Sequence, residues 1–168
     1  MMQYRFVDQV VHVDAHGAGT IETVKTFPRG EDYFEGIFRS QQEVPSSLLL
    51  ESMAFAGAFL LCIRSGYTLL GVLLKVNQAI FTCPVVAGER VSVRSRLVST
   101  QGDWTGGPEL DQPARLAQTI ADCSVGGKQV AQADLLFLGV PLEATLGSRK
   151  EEMLATLMEL AESAGAAP

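Results

Sequence analysis

One carboxylate stands out by its surroundings. Glu51 lies within Leu48–Ile63 (LLLESMAFAGAFLLCI), a stretch with no other charged residue. Buried in a helix, it would have to be paired, protonated or used. Desolvation would raise its pKa, which suits a proton donor near neutrality. The bland account of the same residue is an acid satisfied by a backbone group or facing a dimer partner.

Other chemistry-bearing residues carry less. His12, Asp14 and His16 would share a face at strand spacing, and all three can ligate metal. No further histidine exists to complete a zinc site, so a solvated hairpin and no metal are expected. Cys62, Cys83 and Cys123 are odd in number, widely spaced and without a C-x-x-C pair. They read as small core residues of a reduced cytoplasmic protein. Arg90, Arg94 and Arg96, with Arg39 and Lys75, form either a solvated outer face or a patch that steers an acidic partner. Gly57 allows close approach of a chain or an acyl tail, or plain packing. Trp104 covers a tunnel mouth, serves an interface, or anchors its loop.

These residues need elements to position them. Gln3–Asp14, rich in valine, reads as a strand; His16–Gly19 turns; Thr20–Phe27 is a second strand with Ile21, Thr23 and Lys25 on one face. Pro45 opens a helix, with Ser46 and Ser47 as candidate caps. That helix is apolar nearly all round, so it should be buried on most sides, and Gly66 ends it. Strands follow at Leu73–Cys83, Arg90–Thr100, Arg115–Val125 and Gln129–Leu138, the last two joined at Gly126-Gly127. Ser148–Glu151 fits a capping box, and Met153, Leu154, Leu157, Met158 and Ala161 recur at helical spacing. Strands before and after one buried helix predict an α+β fold, an antiparallel sheet wrapped around that helix. The expected organisation is one domain over residues 1–141 and a C-terminal helix and tail over 142–168.

The chain has 168 residues, 47% of them hydrophobic, and a net charge of −6. That composition excludes a disordered chain, and the acidic balance argues against a nucleic-acid partner. The N-terminus shows no secretory pattern, and the apolar stretch is short for a bilayer, so neither a signal nor a membrane span is expected.

Tyr33-Phe34-Glu35-Gly36-Ile37-Phe38, then Pro45, then Leu48–Ala54 resembles the 3-hydroxyacyl-(acyl-carrier-protein) dehydratase family of the FabZ type. That family carries F-x-G-H-F-P-G, then M-P-G-V-L, then E-A-M-A-Q. Ala79–Glu89 (AIFTCPVVAGE) is similar to its F-x-x-P-V-x-P-G-D stretch, and Val7-Asp8 fits near the start. The resemblance covers roughly Tyr4 to Leu138. It implies a hotdog fold, a dimer with itself or with another hotdog chain, and an acyl thioester on acyl carrier protein or coenzyme A, with no cofactor. It places Glu51 at the catalytic acid and Gly36, Ile37, Phe38, Pro45, Ser46 and Phe55 along the substrate site. Ile37 stands where the family has its histidine base, and it cannot accept a proton. Ser46 stands for the motif glycine, Arg39-Ser40 for Pro-Gly, and Phe55 for glutamine. Three outcomes stay open: a dehydratase whose histidine comes from a partner, a thioester binder without turnover, or a hydrolase in which Glu51 orients water.

Overall fold

The structure, a computed structural model, describes residues 6–29, 42–105, 114–146 and 150–162. Among them lie β1 (Gln9–Asp14), β2 (Thr20–Thr26), α1 (Ser46–Arg64), β3 (Leu69–Phe81), β4 (Arg90–Gln101), β5 (Arg115–Val125), β6 (Lys128–Pro141), α2 (Leu142–Leu146) and α3 (Lys150–Glu162). The strands form one antiparallel sheet in the order β1-β2-β4-β5-β6-β3. α1 packs against β2, β3, β4, β5 and β6, so the sheet wraps the helix. This is the expected hotdog.

Strand alternation fixes which side chains meet the helix. Ile21, Thr23 and Lys25 of β2, with Val91, Val93 and Ser95 of β4, are buried. Ala121, Cys123, Ala133, Leu135 and Phe137 continue that inner face, and Met53, Leu60 and Leu61 of α1 fill it. The other face is polar. One rung crosses all six strands: His12 opposite Glu22, then Arg94, Asp122, Gln132 and Ile80.

Turn chemistry closes the ladder where expected. Gly126 and Gly127 have φ of 56° and 82°, the two left-handed positions a two-residue hairpin requires. β3 begins at Leu69, four residues before the sequence suggests, and β6 runs on to Pro141. Each extension carries a residue that reads as a strand end, Gly71 in the first and Gly139 and Pro141 in the second, yet the ladder runs through them. α2 was not foreseen, because five residues are too short for a periodic signal. Leu157 and Ala161 of α3 are buried as the helical spacing predicts, and α3 lies against β1 and α2. Ser148 and Arg149 of the expected capping box fall outside the described residues.

β3 is an edge. It pairs with β6 on one side and exposes Val72, Leu74, Ile80 and Phe81.

Candidate functional site

The N-terminus of α1 is set by a short pinned segment. Val44 N–H donates to the Val85 carbonyl at 2.8 Å, and Ala87 N–H donates to the Gln42 carbonyl at 2.8 Å. Chain 42–44 is thereby fastened to the turn between β3 and β4. Pro45 then takes the cap position, with φ −54° and ψ 133°. Its ring has no N–H to satisfy, and the chain enters the helix at once.

Ser46 and Ser47 do not cap, contrary to expectation: the first turn has no side-chain cap hydrogen bond and no acidic residue. They already lie inside the helix, whereas a capping hydroxyl must sit at the flanking position that Pro45 holds. Among the described residues, no side chain accepts at the positive end of the helix dipole, which suits a carbonyl oxygen or an anion.

Glu51 follows about one and a half turns later, and it is exposed. The expectation of a desolvated carboxyl is corrected here. Its neighbours explain it: Leu49 before it and Ser52, Met53 and Ala54 after it are buried, so the helix rotates Glu51 to the side away from the sheet. Phe55, one turn on, shares that side and is half-buried. Its ring stands 6.0 Å from that of buried Phe59, tilted by 56°. Ser52 turns its hydroxyl inward to the Leu48 carbonyl at 3.1 Å.

The structure therefore places Pro45 and Ser46 at the N-terminal end of α1, and Glu51 and Phe55 together along one side of it. Gly36, Ile37 and Phe38, with Arg39, lie outside the described residues. Neither histidine joins Glu51. Arg64, at the far end of α1, donates to the Ala15 carbonyl at 2.6 Å. His16 is its neighbour in sequence, so it sits about 20 Å from Glu51 along the helix axis. His12 is exposed on β1, opposite Glu22.

Asp14 does not gather those histidines around a metal. Its two carboxylate oxygens accept from Gly17 N–H and Ala18 N–H, each at 2.8 Å. These bonds, with the nearby histidines, hold its pKa below the usual 3.8. No cluster of three metal-ligating side chains occurs among the described residues.

The remaining signals resolve into structure. Arg94 lies 3.4 Å from Glu22 and opposite Asp122, which accepts from Gln129 and Gln132. Arg94 is thus charge-balanced by acids on the neighbouring strands of the outer face. Trp104 is an anchor: it is buried, donates to the Leu116 carbonyl at 3.1 Å, and packs against Gly139. Cys62 and Cys123 are buried free thiols pushed up to about 12 by desolvation, and Cys83 is free and half-buried.

The sequence reading missed one pair. Lys25 points inward, nearly buried, and donates to Asp8 at 2.9 Å while lying 5.6 Å from the centre of the Phe27 ring. Asp8 also accepts from Thr26 N–H at 2.7 Å. A lysine at inward parity with Ile21 and Thr23 was the available signal, since a buried ammonium requires a carboxylate.

The model of the FabA-like domain matches residues 2–134. A 3-hydroxyacyl-(acyl-carrier-protein) dehydratase FabZ of Allorhizobium ampelinum is 30% identical over 145 residues, covering 84% of this chain and 83% of that one. The FabZ of Protochlamydia amoebophila is 28% identical over 137 residues, covering 82% and 80%. Among solved structures, a phenylacetic acid degradation-related protein of Ralstonia eutropha superposes with a TM-score of 0.57 at 21% identity, covering 77% of this chain and 82% of that one. A Streptococcus mutans protein solved with acetyl CoA bound gives 0.57 at 10% identity, covering 84% and 94%. At those identities the two structures share the fold.

Proposed function

Because the chain belongs to the FabA-like domain family, alongside the FabZ dehydratases, we propose that it binds an acyl thioester along the N-terminal half of α1. The carrier is coenzyme A or acyl carrier protein. Thiols left free at all three cysteines suit the cytoplasm. The observation that carries this reading is Glu51, exposed on the side of α1 that follows an uncapped first turn. Backbone N–H groups at the start of α1, at Ser46 and Ser47, polarise the thioester carbonyl, and Glu51 faces the carbons beyond it.

Dehydration of a 3-hydroxyacyl thioester needs two proton carriers. A base removes the α-proton, the electron pair forms the C2–C3 double bond, and the departing hydroxide takes a proton from the acid and leaves as water. Glu51 fills the second role. Ile37 cannot fill the first, and the loss of a general base costs about 10²–10⁴ in rate. The chain therefore acts as a dehydratase only with a histidine supplied by another hotdog chain, and alone it holds the thioester. The unpaired β3 edge, with its exposed Val72, Leu74, Ile80 and Phe81, is where that chain or a second copy adds its own strand.

Exposure of Glu51 favours one competing activity. A carboxylate open to solvent can orient a water for attack on the thioester carbonyl, which releases a carboxylic acid and free thiol.

The test is hydration of a trans-2-enoyl thioester, with free thiol followed in parallel, for wild type, Ile37→His, Glu51→Gln and the double variant. Wild type alone should be silent in hydration. Ile37→His should gain turnover that the added Glu51→Gln removes. Hydration by wild type that survives Glu51→Gln overturns the assignment. Thiol release that depends on Glu51 selects the hydrolase.

A further inference from the structure

We propose that Phe55 limits the acyl group accepted on this side of α1 to a short chain of about four to six carbons; the inference rests on the thioester reading above. Three features fall in order along the helix: the uncapped first turn, Glu51, and the Phe55 ring. Positions four residues apart are about 6 Å apart along the axis, and their side chains lean toward the N-terminus. A thioester with its carbonyl at the first turn and its third carbon at Glu51 brings its next carbons up to the ring. Of the about 6 Å from Glu51 to Phe55, about 3.5 Å is taken up by van der Waals contact with the ring, which leaves room for about two carbon–carbon bonds beyond the third carbon.

The ring has little freedom to yield. It rests 6.0 Å from the Phe59 ring, and Phe59 is held in the core. The chain cannot dive beneath the helix either. A Cβ at Gly57 would lie 2.9 Å from Thr119 Oγ1 and 3.0 Å from the Phe137 ring. A Cβ at Gly71 would lie 3.1 Å from Leu61 Cδ1 and 3.3 Å from Ala58 Cα. Beyond Phe55, α1 thus packs on β5, β6 and β3 without room for an added methyl group at Gly57 or Gly71. Among the described residues, two cavities of about 370 and 390 Å³ open around Arg90 and Val24, away from α1.

The probes are butyl, octyl and dodecyl thioethers of coenzyme A and of acyl carrier protein, which bind without turnover. Wild type should bind the butyl form about tenfold or more tighter than the dodecyl form. Phe55→Ala should move that ratio at least about tenfold toward dodecyl, and Phe55→Leu should move it less, in the same direction. The leucine variant decides the matter if the alanine variant does not fold. A dodecyl form bound as tightly as butyl by wild type, or a ratio unmoved in the folded variants, overturns the role of Phe55 and leaves the thioester reading standing. Binding of no probe by wild type overturns the thioester reading and this inference with it.

Discussion

At the scale of single residues, position on an element decides what a side chain can do. Glu51 was found by type, because a carboxylate in an apolar run is conspicuous. Its exposure was not legible, because α1 is apolar on nearly every side and its pattern does not say which side the sheet leaves open. Asp14 shows the converse. Its type suggested a metal ligand, and its neighbours Gly17 and Ala18 make it a turn acceptor. Its pKa is lowered by those backbone N–H groups, so its contribution to stability is complete above the unfolded value of 3.8 and disappears as pH falls through the lower folded value. Denaturant midpoints of wild type and Asp14→Asn should therefore differ at pH 7 and converge below about pH 4. A gap that stays constant down to pH 2 would show that charge has no part in the turn.

At the scale of elements, the helix–sheet contact is tightest at Gly57. The sequence allowed either packing or an acyl tail there, and the structure gives packing against Thr119 and Phe137. Gly57→Ala gains about 1 kcal/mol of helix propensity but overpacks a contact that costs about 1–3 kcal/mol. The Phe137 ring sits in the core and Thr119 in a strand, so neither yields easily. Gly57→Ala should thus be destabilising in chemical denaturation, and Phe137→Leu should recover part of the loss. A more stable single variant would refute the contact. Strands were legible where alternation was clean, as in β4, and less so in β3, whose apolar start blends with the preceding turn. The start of α1 was legible through Pro45, while the roles given to Ser46 and Ser47 were displaced by one position.

At the scale of the whole molecule, the sheet order was not legible. Periodicity gives strands and faces, but it does not say that β2 neighbours β4 or that β3 ends at an edge. The all-round apolar helix between strands pointed to the wrap, the family resemblance agreed with it, and strand pairing supplied the rest. An open apolar edge needs a covering, so sedimentation of the 18.0 kDa chain should give a dimer, and Leu74→Lys should give a folded monomer. A monomeric wild type would refute the edge as an interface. The same order has a consequence for how the chain reaches its fold. Among the described residues β3 has one strand neighbour, β6, with Leu69 opposite Pro141 and Phe81 opposite Ala131. Some fifty to seventy residues of chain must be synthesised before β3 gains a ladder, and pairing at such separations is slow. During translation, both edges of β3 wait unpaired while its apolar side chains are already outside the ribosome. A pause between residues 81 and 128 is therefore the interval in which this chain is most open to association with the wrong strand.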